Sequence, residues 1–197
     1  ASAPDYETKT SYTATVTATD GANSTTQSIT VNVTDVDDVA PAFSSSATFS
    51  AAENQTTIGV VTATDVDTVN ASITFTVSGS ELSITSAGVL TFATAPDYET
   101  KSSYTATVTA SDGTNTTDQS ITVNVTDVND NAPVFTSGST FSAAENQTSI
   151  GTVTATDGDA SDSVTFAVSG SELSITSAGV LTFATAPDYE TKSSYTA

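Results

Sequence analysis

Residues 103–135 read SYTATVTASDGTNTTDQSITVNVTDVNDNAPVF. In the opening run, Tyr104, Ala106, Val108 and Ala110 alternate with Thr105, Thr107 and Thr109. That period of two suits a strand with one buried face and cannot line one face of a helix. A one-residue slip would turn every apolar side chain to water, so the register is strongly specified. Asp112-Gly113 interrupts the run as a turn, and Ile121, Val123 and Val125 supply the facing apolar row. Threonine on the wet face favours extended backbone through its β-branch, which accounts for its abundance. Working outward, the same pattern predicts strands near Thr48–Ala52, Ile58–Thr64, 72–77, Leu82–Thr85, Val89–Ala93, Ser103–Ala110 and Gln119–Thr126. Seven short strands with turn residues between them and no helical periodicity predict an antiparallel β-sandwich.

The unit repeats. Pro-Asp-Tyr-Glu occurs at 4–7, 96–99 and 187–190, Ala-Glu-Asn-Gln at 52–55 and 144–147, and residues 78–106 recur unchanged at 169–197. A period of 91 or 92 residues is one small domain long, far beyond a solenoid repeat, so each unit should close its own core. The expected organisation is the last two strands and linker of one repeat at 1–40, a complete repeat at 41–132, and the first part of a third at 133–197. Neither partial repeat closes a core alone. Either neighbouring chains complete one another head to tail, a contact that does not close and would build a fibre, or the chain is a window on a longer filament.

Composition excludes several functions. With 23 acidic and 3 basic residues the formal charge is −20, which repels nucleic acid and anionic membranes. Lys9, Lys101 and Lys192 stand apart and make no phosphate site. No window approaches a membrane span, and no signal peptide opens the chain, so any leader or anchor is expected outside it. Cysteine, histidine, methionine, tryptophan and arginine are missing, which removes disulfide, thiolate and imidazole chemistry. Serine is plentiful, but no base stands ready to activate it, so a catalytic role is not expected.

The acidic residues fall into ordered motifs. Asp127-Val128-Asn129-Asp130-Asn131-Ala132-Pro133-Val134-Phe135 resembles the DxNDNAPxF linker of the cadherin family. Glu53 and Glu145 resemble its first-strand glutamate, Asp97 with Glu99 and Asp188 with Glu190 its DRE-type pair, Asp65 with Asp67 and Asp157 with Asp159 its DxD, and Asp20 and Asp112 its isolated aspartate before glycine. The resemblance covers the whole chain, with five motif types in the family's order at the repeat period. It implies tandem seven-stranded Greek-key sandwiches, cadherin- or immunoglobulin-like, joined end to end, with about three Ca²⁺ ions at each junction. One junction would draw on Glu53, Asp97, Glu99, Asp127, Asn129, Asp130 and Asn131, then Asp157 and Asp159 of the next repeat. The other would use Asp5, Glu7, Asp35, Asp37 and Asp38, then Asp65, Asp67 and Asp112. It departs from the pattern at Asp37, where asparagine is usual, and at Val39, which offers only its carbonyl. Asn70 is placed like the family's carbonyl-donating asparagine, and Ser161 lies nearby in the shorter loop of the third unit.

The donor chemistry agrees, since Ca²⁺ is a hard cation served by carboxylate and carbonyl oxygens, while zinc finds no preferred ligand. An EF-hand reading of Asp127-x-Asn129-x-Asn131 fails because Ala132 stands where glycine must turn the loop and Gly138 where a glutamate must close it. At about 4 Å two unit charges repel by roughly 1 kcal/mol even in water, so a junction without metal should splay. The expected function is a Ca²⁺-stiffened extracellular stalk or filament at the cell surface, serving adhesion or attachment, each repeat adding something like 40 Å. Its partners would be neighbouring repeats or copies of the same protein, and a surface or glycan ligand reached through parts outside the chain. A homophilic adhesive module would call for an exposed anchor such as tryptophan, and a carbohydrate module for an aromatic platform, whereas the tyrosines cluster near the junctions. The low-complexity repeats resemble large prokaryotic surface proteins more than animal cadherins. The Asn-x-Ser/Thr triplets at Asn23, Asn32, Asn54, Asn70, Asn115, Asn124 and Asn146 are explained by the abundance of serine and threonine.

Overall fold

Strand pairing begins with β-branched and aromatic residues on alternate positions, and the computed structural model shows how those rows are covered. It describes residues 2–67, 73–159 and 162–196, so the expectations for Asn70 and Ser161 fall outside the described residues. The chain divides into two compact units, Ala1–Thr126 and Asp127–Ala197.

In the first unit, β1 (Ser11–Thr19) and β2 (Ser24–Asn32) form a two-stranded hairpin. After it come β3 (Ala42–Phe43), β4 (Thr48–Ala52), β5 (Thr57–Val60), β6 (Ala63–Thr64), β7 (Thr74–Val77), β8 (Leu82–Ile84), β9 (Val89–Phe92), β10 (Ser103–Ser111) and β11 (Thr116–Thr126). One sheet runs β4-β11-β10-β7, and the other side of the sandwich holds β5-β9-β8 and the pair β3-β6. Apolar rows from both sides meet in one core. Val108, Ala110, Leu90, Ile121 and Val123 are fully covered, and Phe43 lies 6.4 Å from Phe75 and Phe92 5.1 Å from Tyr104, centroid to centroid. Burying a side chain of this size contributes about 1.5–3 kcal/mol, so these rows supply most of the drive to close the sandwich.

Three details depart from the strand pattern expected from sequence. The first strand is split, with Ala42–Phe43 pairing to one side and Thr48–Ala52 crossing to the other. That crossing strand runs parallel to β11, pairing Thr122 with Thr48 and Thr126 with Ala52, so the sandwich is not wholly antiparallel. The run expected at Ile58–Thr64 breaks into β5 and β6, because Val61 turns fully inward and its N–H is taken by Gly88.

The second unit repeats the same local pairings through β12 (Val134–Phe135), β13 (Ser149–Thr152), β14 (Ala155–Thr156), β15 (Leu173–Ile175) and β16 (Val180–Phe183). β12 pairs with β14, and β13 and β15 flank β16. Residues 140–144 and 165–168, whose sequence counterparts are β4 and β7, make no ladder. In the first unit those two strands pair only with β11 and β10, and among the described residues of the second unit no such hairpin is present.

Candidate metal centre

The acidic turns lie at both ends of the long strands, Asp5 and Asp97 before β1 and β10 and Asp20 and Asp112 after them, and are shaped by short-range capping before any ligand is considered. Asp97 and Asp5 each open a turn in which Thr100 and Thr8 donate N–H to their carboxylates, at 3.0 and 3.1 Å. Thr8 Oγ1 adds a second bond to Asp5 at 2.9 Å, and this hydroxyl, followed by the Thr8 N–H, holds the Asp5 carboxyl below its usual range. Asp20 and Asp112 precede glycines at φ +94° and +107°, and each caps its own turn. Asp112 Oδ1 accepts from Thr114 N and Asn115 N at 2.7 and 2.6 Å, and the Asn115 bond leads in holding the Asp112 carboxyl below its usual range. Asp20 is capped alike by Ala22 and Asn23 at 3.0 and 2.7 Å but is exposed, and among the described residues it joins none of the acidic clusters.

Around the linker 35–39 several expected residues converge. Glu7, Asp38 and Asp67 each bring a carboxylate oxygen within 4.8 Å of the others. Asp38 and Val39 N–H donate to Asp67 Oδ2 at 2.9 and 2.5 Å, and Asp67 N–H to Asp65 Oδ1 at 3.0 Å. The Glu7 carboxyl is pushed up to about 7: its own backbone N–H works downward, but lost hydration and the Asp67 and Asp35 carboxylates outweigh it. Asn115 Nδ2 donates to Asp37 O at 3.3 Å, to Asp37 Oδ1 at 3.2 Å and to Val39 O at 3.4 Å, tying the Asp112 loop to the linker.

The fit to a hard cation rests on what these bonds leave over. Asp65 Oδ2, Asp67 Oδ1 and Asp112 Oδ2 are buried and accept no hydrogen bond. A buried carboxylate oxygen with no donor is costly, and a cation is the chemical partner that would satisfy one without a proton. The surroundings offer only oxygen donors, which suits calcium over softer metals.

A second cluster gathers Glu53, Asp97 and Glu99, again with oxygens within 4.8 Å of one another. Glu53 is 3% exposed, and its Oε2 accepts the Tyr98 N–H at 2.7 Å. The neighbouring Asn54 sits at φ +61°, with its N–H on Pro96 O at 3.0 Å, so the turn aims Glu53 inward. The second unit repeats this arrangement with Glu145, Asp188 and Glu190 within 4.8 Å, and Tyr189 N–H on Glu145 Oε2 at 3.0 Å. There the Thr191 hydroxyl, at 3.0 Å, leads in lowering the Asp188 carboxyl. The same unit joins Asn131 to Asp159: the Asn131 N–H and Nδ2 reach Asp159 Oδ2 and Oδ1 at 3.0 and 2.9 Å. That Asn131 side chain is the leading cause of the depressed Asp159 carboxyl. Asn131 Nδ2 also reaches Asp130 at 2.9 Å, Asp159 N–H reaches Asp157 at 3.1 Å, Asp127 is half-buried and Asn129 is exposed.

Sequence reasoning missed Asn115 as a clasp on the linker, although the Asp-Gly-x-Asn spacing at 112–115 marks it as a turn closer. It also missed the backbone N–H of Tyr98 and the capping Thr100. Tyr98 itself packs against the core, as expected of a residue that positions its acidic neighbours.

Fold and acidic loops together define a chain of cadherin-like repeats. Residues 47–126 match the Cadherin domain. The chain is 40% identical, over 68% of its length, to the protocadherin-like wing polarity protein stan of Drosophila melanogaster. It is 37% identical, over 92% of its length, to protocadherin Fat 4 of Homo sapiens. It spans only 4% of either relative. Among solved structures, the protocadherin gammaB7 EC3-6 cis-dimer superimposes with a TM-score of 0.74 at 28% identity, covering 93% of this chain and 54% of that one. The extracellular cadherin domains 3-6 of protocadherin gamma B2 give 0.72 at 27%, covering 93% and 53%. These relatives correct one expectation: the likeness is to protocadherins, not to a prokaryotic adhesin. No helix among the described residues is long and apolar enough to cross a membrane.

Proposed function

We propose that this chain is a Ca²⁺-binding structural part of an extracellular, cell-surface stalk or filament that serves adhesion, with no catalytic role. The repeats are assigned to 1–40, 41–132 and 133–197. The observation that carries the reading is the set of buried, unsatisfied oxygens on Asp65, Asp67 and Asp112 beside the linker 35–39. Asp5, Glu7, Asp35, Asp37 and Asp38 would complete that junction. Glu53, Asp97, Glu99, Asp127, Asn129, Asp130, Asn131, Asp157 and Asp159 are assigned to the next, and Glu145, Asp188 and Glu190 to a third; Asp20 is assigned by its place in the repeat alone.

The metal's contribution is positive charge among carboxylates that otherwise repel, about three ions per junction by family resemblance. The chain's own contribution is to hold those oxygens in place: Thr8 and Thr100 cap the acidic turns, Tyr98 N–H orients Glu53, and Asn115 clasps the linker. Head-to-tail neighbours, in the same or another chain, supply the facing loops. Small-angle scattering with Ca²⁺ and with excess chelator tests the proposal. Removal of Ca²⁺ is expected to change the maximum dimension and lower the melting temperature; an unchanged dimension overturns the stiffening role.

A further inference from the structure

Asp67 and Asp159 hold the same place in successive repeats, yet their oxygens are not equally satisfied. They stand one period of 92 residues apart, as do Val39 and Asn131, and Val66 and Gly158. In both units the backbone of the linker fills Oδ2: Asp38 and Val39 N–H donate to Asp67 at 2.9 and 2.5 Å, and Asn131 N–H donates to Asp159 at 3.0 Å. The two sites part at Oδ1. Asn131 Nδ2 donates to Asp159 Oδ1 at 2.9 Å, whereas Asp67 Oδ1 is buried and accepts no hydrogen bond, since the Val39 side chain has no donor to offer.

A second pair of residues follows the same division. A Cβ on Gly158 would lie 3.2 Å from Cγ and 3.5 Å from Nδ2 of Asn131, so the bare glycine makes room for the amide. Its φ is not positive, so space and not backbone freedom is what glycine supplies there. In the other unit the position is Val66, whose side chain is 73% exposed and has no amide to accommodate.

Within the calcium reading, on which this rests, we propose that residues 39 and 131, with 66 and 158 behind them, set how strongly each acidic site demands its cation. The Val39 site binds Ca²⁺ the more tightly, and the Asn131 site carries its own cap and stays satisfied without metal. A buried carboxylate oxygen with no donor is destabilising until a cation meets it, and a cation arriving at Asp67 Oδ1 displaces no donor from that oxygen. Asp159 is 3% exposed, so a cation reaching its Oδ1 must first turn the Asn131 amide away from a charged acceptor. Losing such a bond weakens binding by about tenfold. Asp37, standing where the other site has Asn129, adds attraction in the same direction, and the substitutions that test the cap leave both of these residues in place.

The test is hydrogen–deuterium exchange of the intact chain, read by mass spectrometry over a titration of free Ca²⁺, following segments 35–45 and 127–137. Segment 35–45 is expected to gain protection at about tenfold lower Ca²⁺ than 127–137. Val39→Asn with Val66→Gly should raise the first midpoint about tenfold and leave the second in place. Asn131→Val with Gly158→Val should lower the second and leave the first. In chelator, where no metal binds, Asn131→Val is expected to speed exchange of 127–137, which reads the cap by itself. Wild-type midpoints that coincide, or midpoints that ignore the substitutions, overturn the inference while leaving the calcium sites standing. An Asn131→Val change that weakens its site overturns it as well, by showing that the amide is a ligand. Should Ca²⁺ protect neither segment, the proposed function falls and this inference with it.

Discussion

Replacing Glu53 by Gln separates a ligand from a structural carboxylate. The substitution keeps an oxygen able to accept the Tyr98 N–H now bonded at 2.7 Å, and the turn set by Asn54 at φ +61° is untouched. It removes one charge from a group whose oxygens lie within 4.8 Å. At that separation each like-charged pair costs about 0.9 kcal/mol in water, so relief from Asp97 and Glu99 is worth about 1.7 kcal/mol. Exchanging a charged for a neutral acceptor gives back about 1 kcal/mol. In chelator the variant should melt within about 5 °C of the parent. With calcium the outcome differs. Calcium at about 100 times its dissociation constant stabilises by about 2.7 kcal/mol, and a tenfold weaker site gives up about 1.4 kcal/mol of that, or about 6–11 °C for a domain of this size. Glu53→Ala serves as the control. It leaves the buried Tyr98 N–H without this acceptor and should cost about 1.5–3 kcal/mol with or without metal. Thermal melts of the three proteins in chelator and in CaCl2 read the difference. If Glu53→Gln shifts the melting temperature equally in both, Glu53 is not a ligand and the cluster is structural.

Three further outcomes are expected. Glu7 sits at about 7 in the folded chain against an ordinary 4.5, so between those values the folded state binds more protons than the unfolded. Stability in chelator should therefore fall as pH rises from 4.5 to 7, read as urea midpoints, and a midpoint that climbs across this window contradicts the Glu7–Asp67 contact. Leu90→Ala, at a side chain 0% exposed, should cost about 2–5 kcal/mol in the central repeat, while Val89→Ala, at 41% exposed, should stay within about 0.5 kcal/mol. Gly88→Ala should destabilise by at least about 1–3 kcal/mol, because φ is +84° and the new Cβ would lie 2.2 Å from the Val61 carbonyl; a neutral melt would show that the turn can be rebuilt.

Much of the acidic architecture was readable from the chain because its signals are local and repeated. Asp112-Gly113 and Asp20-Gly21 announce turns by themselves, and Glu53 recurs as Glu145 at the repeat period. The clasp from Asn115 to Asp37 and Val39 was not readable, since 78 and 76 residues separate the partners and no local rule joins them. Nor could the sequence show which oxygen of Asp67 would be occupied by backbone N–H and which would be left bare; that follows from how the linker folds back.

The alternation of Tyr104, Ala106, Val108 and Ala110 with threonine determined by itself that the chain is built of strands with one wet face, because a period of two has only one way to bury its apolar half. What tertiary structure alone decided is how those strands are shared. Thr48–Ala52 runs parallel with β11, while among the described residues the same sequence at 140–144 enters no ladder. A ladder is a property of two strands, and a short segment carries its own pattern but not its partner.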